Sequence, residues 1–132
     1  MSGQPIVLLT EDNLIVGMDV CDALEMAGYH VIGPLTTSAD AMAWIEQAAP
    51  DLAVIDVMLK DGASDELASE LRRRGVPFVI HSGSYLSGPV GRAFADVPWL
   101  MKPASTRDLV LALSDVRNAQ VSHQRLGAST IA

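Results

Sequence analysis

Five short apolar runs, spaced along the chain and separated by longer segments of helical periodicity, restrict the fold more than any other feature. They fall at residues 6–9, 29–32, 52–55, 77–80 and 97–101. The first and third, Ile6-Val-Leu-Leu9 and Leu52-Ala-Val-Ile55, are continuous and rich in branched side chains. A strand buried on both faces reads this way, because neither face needs polar residues. Between the runs, apolar residues recur at helical spacing. Alternation of this kind predicts a parallel sheet with helices on both faces and right-handed crossovers. For five strands the common doubly wound order is 2-1-3-4-5, the flavodoxin-like arrangement, with ligands bound beyond the carboxyl ends of the strands at the switch point.

The helical segments carry their own start and stop signals. Leu14, Ile15, Met18, Val20, Cys21, Leu24 and Met26 make one helix, closed by Gly28. Strand two is expected to stop at Gly33-Pro34, and Ser38 to cap a helix bearing Ala41, Met42, Trp44, Ile45 and Ala48. Residues 60–63 read as a turn, and Ser64 or Asp65 as the cap of a helix ending at Gly75. Arg72, Arg73 and Arg74 suit the carboxyl end of that helix and read as a solvated charge run. Residues 85–96 hold Gly88, Pro89 and Gly91, so a fourth helix there is short, over 90–94. Ser105 or Thr106 caps a last helix with Leu109, Val110, Leu113 and Val116 on one face. Its pattern fades after Asn118, which sets an expected domain of residues 1–118 and a flexible C-terminal tail over 119–132.

Charge and length narrow the function. At 132 residues the chain is one domain with room for a core. A net charge of −7 disfavours binding to nucleic acid or to an anionic membrane surface. The sequence shows no secretory leader and no run of about 18 apolar residues, so a cytoplasmic location is expected. The single cysteine, Cys21, reads as an inert core thiol and excludes an internal disulfide.

The polar residues at the strand ends point to chemistry. Asp56 closes the third apolar run, Glu11 and Asp12 follow the first, Ser82 and Gly83 the fourth, and Lys102 the fifth. In the 2-1-3-4-5 order all of them lie on one rim. Each alone has an ordinary reading: acids start helices, serine makes turns, and a strand-end aspartate can cap the next turn. Together they form a cluster. Three carboxylates a few ångströms apart repel by roughly 3 kcal/mol per pair at an effective dielectric of about 20. A divalent cation relieves that conflict, and all-oxygen ligands suit magnesium rather than zinc. Lys102 offers a point charge for a phosphoryl oxygen, and Ser82 a hydroxyl. A carboxylate so flanked is equipped to attack a phosphoryl group and hold the product.

With these marks in place the chain resembles the receiver domain of bacterial response regulators in two-component signalling. The resemblance runs from Ile6 to Val116 and rests on Glu11-Asp12, Asp56, Ser82-Gly83 and Lys102-Pro103. It implies that Asp56 accepts a phosphoryl group from a histidine kinase or phosphotransfer protein. It implies Mg2+ held by Asp12, Asp56 and the backbone carbonyl of Met58, with Glu11 acting largely through water. Lys102 would pair with the phosphoryl group, Ser82 would swing toward it, and Trp99 would stand at the switch aromatic position. Met58 and Ser84 would tune phosphoryl lifetime. The resemblance also implies a signalling module that is not an enzyme beyond its own phosphorylation and dephosphorylation. The chain shows no output domain, so a stand-alone receiver is expected.

This sequence departs from the family pattern in its stunted fourth helix, which bears on the usual signalling face, and at three residues. Lys60 stands where proline is usual, Gly62 arrives early, and Ala104 replaces a common aromatic. The phrase over residues 77–85 is similar to an atypical alphaproteobacterial subgroup with a Phe-Ala-Thr-Gly phrase. Alternatives are a pseudo-receiver that binds a partner without phosphorylation, an aspartyl-nucleophile phosphohydrolase, and a flavin or nucleotide carrier. The hydrolase wants an acid two residues after its nucleophile, where Met58 stands. The carrier wants a glycine-rich loop after strand one, which Glu11-Asp12 replaces. His30, His81 and His123 carry no expected role.

Overall fold

A computed structural model describes residues 3–83 and 93–131, with backbone alone over 121–131. Its main sheet has five parallel strands in the order β2-β1-β3-β6-β7, the 2-1-3-4-5 arrangement counted over these strands alone. They are β1 (Ile6–Thr10), β2 (His30–Leu35), β3 (Leu52–Ile55), β6 (Phe78–Ser82) and β7 (Trp99–Met101). A two-stranded antiparallel hairpin, β4 (Met58–Leu59) with β5 (Gly62–Ala63), follows β3. The described helices are α1 (Leu14–Met26), α2 (Ser38–Gln47), α3 (Asp65–Arg73) and α4 (Thr106–Ile131). Among the described residues no helix is long and apolar enough to cross a membrane.

Side chains alternate across each strand, so the sheet carries a core on both faces. On one face Leu8, Ala53, Ile55, Phe78 and Ile80 pack against Ala41 and Ile45 of α2 and Leu67, Ala68 and Leu71 of α3. On the other Val7, Leu9, Val54 and Val79 pack against Val20 and Leu24 of α1 and Leu109 and Leu113 of α4. Each fully buried leucine or isoleucine contributes about 1.5–3 kcal/mol over its exposed state.

The helical periodicity of residues 14–26 marks a helix, but α1 faces the sheet by a narrower stripe than its apolar content implies. Gly17, Val20 and Leu24 are its buried residues, while Leu14, Ile15, Met18 and Met26 are exposed. Gly17 lets the helix approach β2: a Cβ there would lie 2.6 Å from Pro34 Cβ. Strand β2 does not stop at Gly33-Pro34 but runs through it to Leu35, with a register shift against β1 between Leu8 and Thr10. It is an edge strand, where the missing proline N–H costs no ladder bond. Gly33 has φ +125, and a Cβ there would meet Leu9 O at 2.4 Å, so only glycine fits.

The caps also differ from the sequence reading in detail. Thr37 rather than Ser38 caps α2, accepting from Asp40 N at 3.1 Å. Ser64 stands at the start of α3 but makes no side-chain cap there. Ser105 caps α4, accepting from Asp108 N at 3.0 Å. The arginines ending α3 are exposed, as the solvated charge run implies, and they are also partnered. Arg72 donates to the carbonyls of Ala93 and Ala95 and lies over the Phe78 ring, while Arg73 and Arg74 both pair with Glu70.

Helix α4 runs past Asn118, where the apolar pattern fades, to Ile131. Its residues include good helix formers and no proline, and backbone propagation needs no buried stripe once a helix is nucleated. Gln120 Nε2 donates to Gly75 O at 3.1 Å, so the helix still touches the body beyond the expected edge at 118. The short helix expected over 90–94 lies mostly outside the described residues. Ala93 and Phe94 are in a short 3-10 segment, and β7 starts at Trp99 rather than Val97.

Candidate functional site at the carboxyl end of the sheet

Strands β1 and β3 are neighbours, with Val7 to Leu9 in register with Leu52 to Val54. The loop after β1 therefore lies beside the residue that follows β3. Strand β6 pairs with β3 on its other side and β7 with β6, placing Ser82 opposite Met101. The topology thus assembles Glu11, Asp12, Asp56, Ser82 and Lys102 at one rim. Glu11, Asp56 and Ser82 are buried there, while Asp12 faces solvent.

Lys102 joins the acids. Its Nζ lies 2.6 Å from Asp56 Oδ2, 2.7 Å from the Glu11 carboxylate and 3.9 Å from Asp12 Oδ1. Its own N–H donates to Ser82 O at 2.8 Å, which holds the lysine against β6. One ammonium cannot compensate three carboxylates. Burial pushes the Glu11 carboxyl up to about 7, helped by the neighbouring Asp12 and opposed by Lys102. Asp56 is also raised, by burial first, against the lowering effect of Lys102. Asp12 is lowered, chiefly by its hydrogen bond with Glu11. Lys102 is raised: the loss of solvent works to lower it, but its bonds to Asp56 and Glu11 win.

Glu11, Asp12 and Asp56 each offer a carboxylate oxygen, and these oxygens lie within 4.8 Å of one another. Two of these three acids are buried in a cluster short of positive charge, and every donor is oxygen. That donor set fits a small hard divalent cation such as magnesium.

The backbone around Asp56 is held by residues the sequence reading passed over. Thr10 Oγ1 accepts from Asp56 N at 3.3 Å. Ser64 Oγ donates to Asp56 O at 2.7 Å and to Val57 O at 3.1 Å, which is why it does not cap α3. Asn13 N donates to Glu11 Oε2 at 3.1 Å, while its side chain caps α1. The available signal was weak: Thr10 ends a strand beside the acidic pair, and Ser64 follows the turn after Asp56.

Met58 is exposed and its N–H donates to Asp56 Oδ1 at 3.4 Å. Trp99 is half-buried on the sheet face that also carries Ile80, and its ring meets Phe94 edge-on with centroids 6.2 Å apart. His81 is buried, its Nε2 has no hydrogen-bond partner among the described residues, and burial, reinforced by Lys102, pushes its pKa down to about 4. Ser84 and the phrase beyond Gly83 lie outside the described residues.

No family model matches the chain. The transcriptional regulatory protein PdtaR of Mycobacterium tuberculosis is 32% identical over 113 residues, covering 81% of this chain and 54% of its own length. A CheY-like response regulator receiver domain from Methanospirillum hungatei superposes with TM-score 0.79 at 26% identity, over 92% of this chain and 99% of its own. The chain has the fold of response-regulator receiver domains and is similar to them in sequence. A response regulator receiver protein from Sinorhizobium medicae is similar as well, with TM-score 0.76 at 26% identity, over 89% of this chain and 97% of its own. The chain spans about half the length of the curated relatives it matches.

Proposed function

We propose that this receiver accepts a phosphoryl group on Asp56 from the phosphohistidine of a histidine kinase or phosphotransfer protein, and signals through protein contacts that depend on it. The observation that carries the reading is the pairing of a buried Asp56 carboxylate with Lys102 at 2.6 Å, beside Glu11 and Asp12. An Asp56 oxygen attacks phosphorus as the phosphorus–nitrogen bond of the donor breaks, and the imidazole leaves with that electron pair. Lys102 stays beside the acceptor and holds a transferred oxygen, where charge accumulates in the transition state. Asp12, Asp56 and the Met58 carbonyl would hold Mg2+, with Glu11 acting through water; the ion would neutralise charge between the acids and the incoming phosphoryl oxygens.

Ser82 and Trp99 are proposed as the switch pair, and Met58 and Ser84 as residues that set phosphoryl lifetime. Residues 1–118 are proposed as the signalling unit, working in the cytoplasm. The pathway it serves follows from its partners, which capture with and without a phosphoryl analogue would identify.

The test is direct. The protein is incubated with magnesium and a small-molecule phosphoryl donor, and its intact mass is measured. A phosphoryl adduct is expected on the wild type and not on Asp56→Asn. A wild type without an adduct would favour a pseudo-receiver instead, and an equal adduct on the variant would place the phosphoryl group on a residue other than Asp56.

A further inference from the structure

The short hairpin β4–β5 leaves the sheet directly after Asp56 and is tied down at both ends. At its base Ser64 N donates to Val57 O at 2.8 Å, and Ser64 Oγ binds the carbonyls of Asp56 and Val57. At its tip Lys60 N donates to Thr36 O at 2.9 Å. Beside it, the Asp61 carboxylate accepts from Ser38 N at 2.8 Å and from Ala39 N at 3.0 Å. Ser38 and Ala39 open α2, and the first N–H groups of a helix have no partner within it. Asp61 therefore caps a helix that lies 22 to 23 residues earlier in the chain.

Helix α2 already has a local cap in Thr37, which satisfies Asp40 N. What Asp61 adds is a connection. Strands of two residues cannot hold a hairpin in place by themselves, so its position depends on these ties. The same hairpin carries Met58, whose N–H reaches Asp56 Oδ1. A carboxylate at a helix N-terminus is favoured by the helix dipole, and these two N–H groups hold Asp61 below the usual aspartate range.

We propose that Asp61 is a positioning residue for the phosphoryl-acceptor site: it anchors the hairpin to the N-terminus of α2, fixes the Met58 backbone beside Asp56, and couples α2 to occupancy of the acceptor. The inference rests on the proposed function, because the Met58 carbonyl matters only if the site takes magnesium and a phosphoryl group. Coupling is reciprocal, so what holds the hairpin favours occupancy, and occupancy in turn holds α2.

The experiment uses the full chain as wild type, Asp61→Ala, Asp61→Asn and Thr37→Ala. Magnesium is titrated with intrinsic tryptophan fluorescence as the readout. Amide exchange over residues 36–47 is then compared with and without magnesium and beryllium trifluoride, a phosphoryl analogue. Asp61→Ala is expected to weaken magnesium about tenfold, the scale at which groups that orient metal ligands act. It should also abolish the change in exchange that occupancy causes at the start of α2. Asp61→Asn, which keeps one acceptor oxygen, should fall between and serves if the alanine variant does not fold. Thr37→Ala removes a cap from the same helix but no tie to the hairpin, so its magnesium affinity should stay within about twofold of wild type. Equal affinity in wild type and both Asp61 variants, or an equal loss in Thr37→Ala, would overturn the coupling alone. A wild type that binds neither magnesium nor the analogue would overturn the proposed function, and the coupling with it.

Discussion

Glu11 and His81 are both buried near the carboxyl end of the sheet, and burial moves them in opposite senses. Glu11 titrates near 7 when folded against an ordinary 4.5, so the folded state keeps a proton that the unfolded chain has lost. Stability from this group is full below 4.5 and falls as pH rises through 7. His81 titrates near 4 against an ordinary 6.5, so its contribution is lost as pH falls through that window. Between 4.5 and 6.5 the two slopes oppose each other. In chelator, Glu11→Gln should therefore gain stability as pH rises across this range, and His81→Leu should lose it. Urea midpoints at several pH values check this; identical slopes in both variants would show that neither group titrates this way. At the same scale, Lys102→Ala leaves Glu11 and Asp56 buried without their cation. It should cost about 3–5 kcal/mol in metal-free protein at pH 8, read by the same midpoints. The acids and the lysine were legible in the sequence because a charged residue closing an apolar run has few reasons to be there. Thr10 and Ser64 were not, because both serve backbone groups, and which backbone groups they meet depends on the fold.

Elements were legible wherever one periodicity ruled a segment. The runs at 6–9 and 52–55 became central strands, since their continuous apolar pattern needs burial on both faces. The edges of elements were harder. Strand β2 passed through Gly33-Pro34 because it lies at the sheet edge, which no local signal announces. Gly33→Ala would force a Cβ against Leu9 O at a backbone angle suited to glycine, and should destabilise by more than about 1 kcal/mol. Leu113→Ala opens a cavity under α4 and should cost about 2–5 kcal/mol. Thermal or urea unfolding measures both; a neutral Gly33→Ala would mean that β2 can move away from β1. Helix α1 shows the opposite difficulty. Its apolar residues outnumber those the sheet can cover, and only packing selects Val20 and Leu24.

The whole molecule places a negative cluster at one end of a chain whose net charge is already −7. A cation bound only by the folded state stabilises it by mass action, by about 2.7 kcal/mol at a concentration a hundred times its dissociation constant. Magnesium should therefore raise the thermal midpoint, and more at pH 8 than at pH 5, where Glu11 holds its proton. Asp12→Asn should lose most of the gain. Calorimetry with magnesium against a monovalent salt of equal ionic strength separates binding from screening; equal gains from both would argue against a specific site.

By itself the sequence determined the alternation of strands and helices, hence a doubly wound sheet, and it placed an acid or a lysine at the ends of the right strands. Periodicity and strand-end polarity are local properties, and they survive without knowledge of neighbours. Only the tertiary structure decided which groups meet: that Lys102 bridges Glu11 and Asp56, that Ser64 holds the Asp56 backbone instead of capping its helix, and that Asp61 caps a helix from another part of the chain. Those contacts join residues far apart in sequence. Their partners are chosen by sheet order and packing, and no local pattern carries that information.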